Sequence, residues 1–295
     1  MRKHLFCLLY GIALAVFTAY VLLDSFVLVR VYESASTAEV EPAGCIHPTP
    51  EPAFVTERSY QDANITLTID EYREHNTTIY VADVVLTSPT LLKTALAQDA
   101  YGRNVTETTS AMAERKSAIL AVNGDYYGSR ERGYVVRGGV IYRESTMGNE
   151  ALAIMRDGSF RVVEESSIAV ADLAADGAVE VLSFGPALVV DGCIAVDEGD
   201  EVGKAMANNP RTAIGMMEPG HYIFVVSDAR TKASEGLTLL ELAEFMQGLG
   251  VKVGYNLDGG GSSTMVFMGN VINNPTTNGR TIKERSVSDI VYIGY

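Results

Sequence analysis

The sequence has few of the residues that build metal centres and disulfide-stabilised folds. Of its 295 residues, three are cysteines and four are histidines. Cys7 falls in an apolar N-terminal run, which leaves Cys45 and Cys193 either as a disulfide or as two free thiols. The histidines are scattered along the chain: His4, His47, His75 and His221. No zinc-binding spacing is present, and the sequence does not indicate a histidine-based metal centre.

Positive charge is also scarce. The chain has 23 Lys and Arg against 37 Asp and Glu, a net charge of −14. Without Arg2, Lys3, Asp24 and Arg30 of the N-terminal segment, 20 basic and 36 acidic residues remain, a net charge of −16. This balance argues against nucleic acid as a partner. It leaves anionic small substrates open, because one arginine can reverse the field inside a pocket.

The N-terminus carries a long apolar run behind a basic head, Arg2-Lys3-His4. Residues 5–23 contain no charge, and nineteen residues rising about 1.5 Å each nearly cross a hydrocarbon layer of roughly 30 Å. The basic head predicts a cytoplasmic N-terminus, with the rest of the chain outside the cell membrane. The alternative is a cleaved signal peptide, for which Ser34-Ala35-Ser36 is a weak cleavage candidate. The run is longer than the usual apolar core of a signal peptide, which favours an uncleaved single-pass anchor.

Composition divides the chain into three parts. Residues 1–30 form the anchor, and residues 31–60, rich in Glu, Pro, Ser and Thr, are typical of a spacer that cannot bury enough apolar surface to fold. Residues 61–295 are long enough for one domain with a substantial core.

Periodicity in this domain indicates both strands and helices. Residues 64–72 and 77–87 alternate apolar and polar side chains around a His75-Asn76 turn, which predicts a hairpin. Ser88-Pro89 has the form of a helix start, and we expect a short helix through Ala97. Thr238 and Glu241 form a capping-box pattern at the start of a helix over residues 238–247. Further helices are predicted at residues 108–116 and 168–175, and strands at residues 117–122, 212–217, 222–226, 252–257 and 289–293. The pattern predicts an α+β domain with a central mixed sheet and flanking helices.

Three predicted strand ends carry polar residues. In the last of them, Asp258 is followed by Gly259-Gly260-Gly261 and then by Ser262 and Ser263. Consecutive glycines are entropically costly, and their bare backbone N–H groups can approach an anion closely. A tightly packed turn is the alternative. Asp258 and the serines favour a ligand that is both anionic and rich in hydroxyls.

The other two segments offer partners for such a ligand. Asn123, Gly124 and Asp125 end one strand, and Tyr126 follows where its ring could stack on a sugar. Arg211-Thr212 begins another, and the planar guanidinium of Arg211 suits phosphate or carboxylate. A plain Asn-Gly turn and a structural ion pair are the respective alternatives.

Two further charged pairs lie at predicted strand ends. Asp228 and Arg230 follow one strand, where ligands of open α/β sheets tend to bind. Glu284 and Arg285 precede the final strand and are weaker candidates.

Taken in order, these segments resemble the phosphodiester glycosidase family, which includes bacterial surface proteins linked to exopolysaccharide. The resemblance rests on Asn-Gly-x-Tyr at residue 123, Pro-Arg-Thr-Ala-Ile-Gly at residue 210 and Asn-x-Asp-Gly-Gly-Gly-Ser-Ser at residue 256. It extends from about residue 64 to residue 295. It implies hydrolysis of a sugar-1-phosphodiester on surface glycans, with cleavage between the anomeric carbon and the phosphate oxygen.

The resemblance also suggests roles for the candidate residues. Arg211 and the glycine backbone would hold the phosphate, with Arg230 and Arg285 assisting. Asp258 would be the catalytic carboxylate, with Asp125 or Asp228 as its partner. Two alternatives stay open: a non-catalytic carbohydrate-binding or assembly module, and a site in which carboxylates and loop oxygens hold Ca²⁺ or Mg²⁺.

Overall fold

The structure is a computed structural model that describes residues 2–32, 49–50, 52–200 and 208–295. Most of the predicted spacer, including Cys45, lies outside the described residues, so the pairing of Cys45 with Cys193 is not tested. Cys193 is exposed.

The N-terminal helix, α1, spans Arg2–Phe26. Its segment Phe6–Phe26 is long and apolar enough to cross a membrane, and it is not buried in the interior of the protein. Twenty-one residues rise about 31 Å in a helix, close to the hydrocarbon thickness of a bilayer. A membrane anchor and a signal sequence both have this composition.

Short strands and three more helices make up the domain. The helices are α2 (Thr109–Arg115), α3 (Val170–Ala175) and α4 (Leu239–Gly248), and single 3₁₀ turns lie at Pro89–Leu91, Ala97–Asp99, Tyr127–Ser129 and Gly260–Ser262. The described strands are β1 (Arg30–Val31), β2 (Phe54–Val55), β3 (Ser59–Gln61), β4 (Ile65–Glu74), β5 (Thr77–Leu86), β6 (Leu92–Leu96), β7 (Gly102–Arg103), β8 (Leu120–Asn123), β9 (Val135–Arg137), β10 (Val140–Arg143), β11 (Glu150–Met155), β12 (Phe160–Glu164), β13 (Ala178–Leu182), β14 (Ala187–Val190), β15 (Cys193–Ile194), β16 (Arg211–Glu218), β17 (His221–Ser227), β18 (Val253–Asn256), β19 (Met265–Phe267), β20 (Asn270–Val271) and β21 (Asp289–Ile293).

One large sheet organises the domain. Its nine strands run in the order β15-β14-β18-β16-β17-β5-β4-β3-β2. Period-2 alternation gives it two apolar faces: Tyr80 and Ala82 of β5 join the main core, whereas Ile79 and Val81 pack under α4.

Two five-stranded sheets cover the main-core face of the large sheet. One has the order β20-β19-β8-β21-β6 and carries α2 on its outer side, and the other has the order β10-β9-β13-β11-β12 and carries α3. The large sheet and the two smaller sheets therefore enclose one core. Three strands meet at the edge of this core: β8 from a smaller sheet, and β16 and β18 from the large sheet.

Most of the predicted elements are confirmed. The hairpin forms from β4 and β5, with His75 and Asn76 at positive φ in its turn. Thr238 accepts from the Glu241 amide at the start of α4, and the Glu241 side chain binds back to the Thr238 amide. The α+β class with flanking helices is confirmed as well.

The predicted helix from Ser88 through Ala97 is wrong. Ser88 does cap a turn, accepting from the Thr90 amide, but that turn ends at Leu91. The chain then forms β6, which pairs along its whole length with β21. The ladder to β21 supplies the backbone hydrogen bonds that a helix would otherwise provide, and it overrides the local signal.

Two features of the sheets differ from the expected picture. Every strand pairing among the described residues is antiparallel, so the prediction of a mixed central sheet is wrong. The argument that placed Asp228 and Arg230 at the carboxyl ends of the strands of an open α/β sheet therefore does not apply. The large sheet also begins at Phe54, inside the segment predicted as spacer. The three-part division of the chain stays a prediction.

Candidate active site

Asn123, the last residue of β8, joins the two sheets at the site. Its Nδ2 donates to the backbone oxygen of Asp258 at 2.6 Å. Its Oδ1 accepts from the Thr212 hydroxyl at 2.8 Å and from the Thr264 amide at 3.2 Å. The Asp258 amide donates to the Gly124 oxygen at 3.1 Å. The three segments singled out in the sequence therefore converge.

Asp258 follows β18 and is the central carboxylate of the site. Only 8% of its surface is exposed. Arg285 donates from a terminal nitrogen to Asp258 Oδ2 at 3.0 Å, and from Nε to the Ser262 hydroxyl at 2.9 Å. Burial raises the pKa of the Asp258 carboxyl, and the charge of Arg285 and a hydrogen bond from Ser262 oppose that rise.

Arg285 also approaches an aromatic ring. Its guanidinium carbon lies 5.9 Å from the ring centroid of Tyr126, which is partly exposed at the same opening. The adjacent Glu284 points elsewhere, since its carboxylate accepts from the Ser110 amide in the first turn of α2.

Two further arginines reach the site from separate segments. Arg230 adopts a positive φ of 62° and donates to the Asn209 side chain at 3.0 Å and the Thr277 oxygen at 2.6 Å. Burial and the charge of Arg285 lower the pKa of Arg230. Arg211, the first residue of β16, is buried and donates from Nε to the Leu237 oxygen at 2.8 Å.

These groups line one open cavity of about 720 Å³. Its lining consists of Tyr126, Phe184, Asn209, Arg211, Arg230, Asn256, Leu257, Asp258, Gly259, Gly260 and Arg285. Three of these residues are cations and one is an anion, in a chain whose net charge is −14. The cavity therefore has the opposite charge to the protein as a whole, and it suits a ligand with a phosphate or carboxylate.

The three glycines are explained largely by packing. A Cβ on Gly259 would lie 2.8 Å from the Pro210 oxygen, and a Cβ on Gly261 would lie 2.3 Å from the Thr277 hydroxyl. The Gly260 amide is bound to the Pro210 oxygen at 2.8 Å. That amide does not point toward a ligand, so the expected anion-binding nest of three amides is not formed in full. Gly259 and Gly260 still line the cavity and let the Pro210 and Arg230 segments approach.

Asp125 does not line the cavity. Its side chain is fully buried. Its Oδ2 accepts from the Ser183 amide and lies 3.0 Å from a terminal nitrogen of Arg137. Arg137 also binds Asp289 at 2.6 Å, and Asp289 Oδ1 accepts from the Asp125 amide. Burial and the neighbouring Asp125 raise the pKa of Asp289 to about 7, although Arg137 opposes the rise. The Asp125–Arg137–Asp289 cluster therefore holds the segment that follows β8 in place.

Asp228 is likewise turned away from the cavity. Its Oδ1 accepts from the Asn274 amide at 2.8 Å and its Oδ2 from the Asn274 side chain at 2.9 Å. Asn273 and Tyr80 donate to the same carboxylate at 3.3 and 3.4 Å. Asp228 therefore fixes the segment after β20, and neither it nor Asp125 is placed to act as the partner of Asp258.

Thr212 and Ser263 are also buried and structural. Thr212 acts through Asn123, and the backbone oxygen of Ser263 accepts from the Asn273 side chain at 2.9 Å. No group of three or more His, Cys, Asp and Glu side chains that could hold a metal ion is found within the described part of the chain.

Sequence reasoning assigned no role to four lining residues, Phe184, Asn209, Asn256 and Leu257. Asn256 stands out because its Oδ1 is buried and has no hydrogen-bond partner, while its Nδ2 donates to the Gly185 oxygen at 2.8 Å. Asn256 is the last residue of β18 and stands two residues before Asp258, which follows the strand, and that spacing was the available signal. Phe184 comes from the segment between β13 and β14, which carried no motif.

Comparison with known proteins finds similarity to the phosphodiester glycosidase family. A model of the phosphodiester glycosidase family matches residues 116–294, more than half of the chain. The SPbeta prophage-derived protein YomE of Bacillus subtilis is 28% identical over 201 residues, covering 66% of this chain and 31% of that protein. The N-acetylglucosamine-1-phosphodiester alpha-N-acetylglucosaminidase of Mus musculus is 37% identical over 87 residues, covering 28% of this chain and 17% of the enzyme. The chain thus spans a third or less of the length of these relatives.

Solved structures share the fold. The catalytic domain of the zebrafish N-acetylglucosamine-1-phosphodiester alpha-N-acetylglucosaminidase, auto-inhibited by its pro-peptide, superposes with a TM-score of 0.62 at 21% identity. The match covers 78% of this chain and 83% of that domain. A hypothetical protein from Synechocystis matches with a TM-score of 0.61 at 14% identity, covering 78% of this chain and 62% of that protein.

Proposed function

The chain belongs to the phosphodiester glycosidase family, and from that premise we propose that it hydrolyses sugar-1-phosphodiesters in its arginine-lined cavity. The observation that carries the proposal is the convergence of Arg211, Arg230 and Arg285 around one buried carboxylate, Asp258. Three cations attract the phosphodiester anion, and the carboxylate is positioned to act on the sugar beside it.

The arginines bind the phosphate. A guanidinium donates in a planar fork that matches two phosphate oxygens. Arg285 lies close enough for its charge to lower the pKa of Arg230, so an anion between the two arginines relieves their repulsion. We assign them, with Arg211, to the phosphate of the substrate.

Asp258 acts on the sugar of the substrate. Within the described residues it is the one carboxylate in the cavity lining, and Arg285 holds its Oδ2 in place. A phosphate monoester is already a good leaving group, so cleavage needs little acid assistance. A single carboxylate that stabilises the oxocarbenium-like transition state, or that takes a proton from the attacking water, meets the main demand.

The bonds made and broken follow from this assignment. The anomeric C–O bond breaks, and both electrons leave with the phosphate oxygen, whose charge the arginines neutralise. Water supplies the new oxygen on the anomeric carbon, and its proton passes to the carboxylate or to solvent. The products are a free sugar and a phosphate monoester.

We place the activity at the cell surface. Helix α1 would be an uncleaved single-pass anchor with a cytoplasmic N-terminus, and the domain would face outward toward surface glycans. The strand β1, which directly follows the helix, is paired within the folded domain, and removal of a signal peptide near residue 35 would delete it. That pairing favours retention of the anchor.

The test uses the detergent-solubilised full chain and the methyl diester of N-acetylglucosamine-1-phosphate, the sugar phosphate named for the Mus musculus relative. The expected result is release of methyl phosphate, with heavy oxygen from labelled water found in the sugar and not in the phosphate. Asp258→Asn should lower kcat by about 10²–10⁴-fold, whereas the same change at exposed Asp70 should not.

Two outcomes contradict the proposal. Heavy oxygen in the phosphate would show cleavage of the P–O bond. Binding of the diester by wild type and Asp258→Asn alike, with no methyl phosphate released, would identify a carbohydrate-binding module.

A further inference from the structure

The chain is clamped to its own domain immediately after the apolar helix. Strand β1 pairs antiparallel with β7, with Arg30 opposite Arg103 and Val31 opposite Gly102. The Tyr32 amide extends the pairing by donating to the Tyr101 oxygen at 2.8 Å. We call this contact of residues 30–32 with residues 101–103 the juxtamembrane clamp.

On the domain side of the clamp, a glycine lets the two backbones approach each other closely. A Cβ on Gly102 would lie 2.0 Å from the Arg30 oxygen and 2.8 Å from Val105 Cγ2, so only glycine allows the two backbones to meet. The Tyr32 ring lies 5.9 Å from that of Tyr101. A further hydrogen bond, from Asn104 Nδ2 to the Leu28 oxygen at 3.0 Å, reaches toward the helix end.

The clamp lies close to the catalytic cavity. The Asn104 amide donates to the Gly128 oxygen at 3.2 Å. Gly128 is two residues beyond Tyr126, which lines the cavity, and two residues span at most about 8 Å. The path from Leu28 to Tyr126 therefore runs through one side chain, two hydrogen bonds and two residues, on the order of 20 Å in all.

Neighbouring cavities also lie between the clamp and the catalytic cavity. A cavity of about 200 Å³ is bordered by Tyr32 and Arg130, and a second of about 340 Å³ is bordered by Arg130 and Phe184. Phe184 in turn lines the catalytic cavity. Arg130 stacks on Phe184, with 4.6 Å from its guanidinium carbon to the ring centroid. Three cavities that share lining residues therefore lie side by side between the clamp and Asp258.

The helix end fixes where the bilayer surface must be. Phe6–Phe26 fills the hydrocarbon thickness, and the exposed apolar residues 27–29 continue to the interface. The interfacial layer adds only about 5–8 Å on each side of the hydrocarbon. A clamp that starts at residue 30 therefore lies at the lipid headgroups, and it prevents the domain from being carried away from them on a flexible linker.

We propose that the catalytic cavity takes its substrate from the same membrane: a glycosyl phosphodiester anchored in the bilayer by a lipid, presented along the cavities between the clamp and Asp258. The inference rests on the proposed glycosidase activity and adds the substrate class. The clamp holds the cavity near one leaflet, which raises the local concentration of anchored substrate.

The test uses the full chain in phosphatidylcholine vesicles with two probes: the methyl diester of N-acetylglucosamine-1-phosphate in solution, and the hexadecyl diester of the same sugar phosphate in the vesicle bilayer. The decisive variant carries a twelve-residue Gly/Ser insertion between Val29 and Arg30, which keeps the clamp and frees the domain from the helix. The matched control carries the same insertion between Thr37 and Ala38, beyond the clamp. Tyr32→Pro removes the amide donor of the clamp, and Tyr32→Phe retains it.

The insertion before Arg30 and Tyr32→Pro should each lower the ratio of hexadecyl to methyl hydrolysis by about tenfold or more. The control insertion and Tyr32→Phe should leave that ratio unchanged, and all four should cleave the methyl diester at the wild-type rate. Equal ratios in all variants, or a membrane-purified chain whose N-terminus lies beyond residue 32, would overturn the inference and leave the glycosidase proposal intact. Failure of wild type to cleave either probe would overturn both.

Discussion

The side chain of Asn123 is bound to the backbone of Asp258 at 2.6 Å, across the boundary between two sheets. Asn123 ends a strand of a five-stranded sheet, and Asp258 follows a strand of the nine-stranded sheet. The position of the catalytic carboxylate candidate is therefore set from the opposite layer of the molecule. The relative placement of the two sheets, more than any single loop, determines the geometry of the cavity.

Replacing Asn123 should reduce stability and activity together. Asn123→Ala leaves the Thr212 hydroxyl, the Thr264 amide and the Asp258 oxygen without this partner in a buried setting. Each unsatisfied buried group costs about 1–3 kcal/mol, so we expect unfolding in urea to lose at least about 3 kcal/mol. Asn270→Ala, at an exposed position of β20, is the control and should change stability by less than about 0.5 kcal/mol. A near-neutral Asn123→Ala would show that the sheets do not depend on this contact.

Removing Arg285 should move the acidic limb of the pH–rate profile. Arg285 opposes the burial that raises the pKa of Asp258, so Arg285→Gln lets that pKa rise further. The ionised carboxylate then requires a higher pH, and the limb of kcat/KM that reports Asp258 should shift upward. Exposed Arg280→Gln provides the control. If the limb stays in place while KM alone rises, Arg285 binds phosphate without tuning Asp258.

The convergence of the candidate segments was easier to predict from the sequence than the directions of their carboxylates. Strand ends and the glycine run marked segments that do converge, because a strand ending in polar residues signals an edge of the core. The direction in which a side chain points could not be predicted in the same way. Asp125 and Asp228 also end strands, yet the first is held by Arg137 and the second by Asn274, both distant in sequence. Contacts of that kind are set by packing between layers and leave no local pattern.

The juxtamembrane clamp was equally hidden. Strand β1 is two residues long and follows an apolar run, so nothing in its alternation distinguishes it from linker. Its partner lies some seventy residues away and is recognisable only because Gly102 leaves room for the Arg30 oxygen. The hairpin β4–β5 and helix α4 are the opposite case, since a turn and a capping box encode them locally.

The glycine run should tolerate a methyl group poorly at its third position. A Cβ on Gly261 would lie 2.3 Å from the Thr277 hydroxyl and 3.1 Å from the Thr277 backbone, so Gly261→Ala must displace that segment. Overpacking of this kind typically destabilises by about 1–3 kcal/mol. Since Arg230 donates to the Thr277 oxygen, kcat/KM on the methyl diester should fall as well.

Gly248 gives a matched control for that substitution. It ends α4, and a Cβ added there would meet nothing within 4 Å, so Gly248→Ala should be neutral or slightly stabilising. Thermal unfolding and kinetics on both variants check the prediction. Equal stability and equal kcat/KM for the two variants would mean that the Thr277 segment moves aside without cost.

Stability should fall as pH rises through neutrality, and Glu180 is one cause. Glu180 is buried on β13, which raises its pKa to about 7 against the opposing Thr94 hydrogen bond and the charge of Arg137. The folded state therefore retains a proton that the unfolded chain releases near pH 4.5. The unfolded state binds fewer protons between these values, so the contribution to stability is full below about pH 4.5 and is lost as the pH passes 7.

Glu180→Gln removes this titration while its amide oxygen can still accept from Thr94. Relative to wild type, the variant should gain on the order of 3 kcal/mol in unfolding free energy on going from pH 5 to pH 8. A residual slope should persist because the pKa of Asp289 is raised in the same direction. Exposed Glu114→Gln should follow the wild-type pH dependence in the same urea titrations. Parallel pH curves for wild type and Glu180→Gln would show that Glu180 stays ionised in the folded protein, with Arg137 outweighing burial.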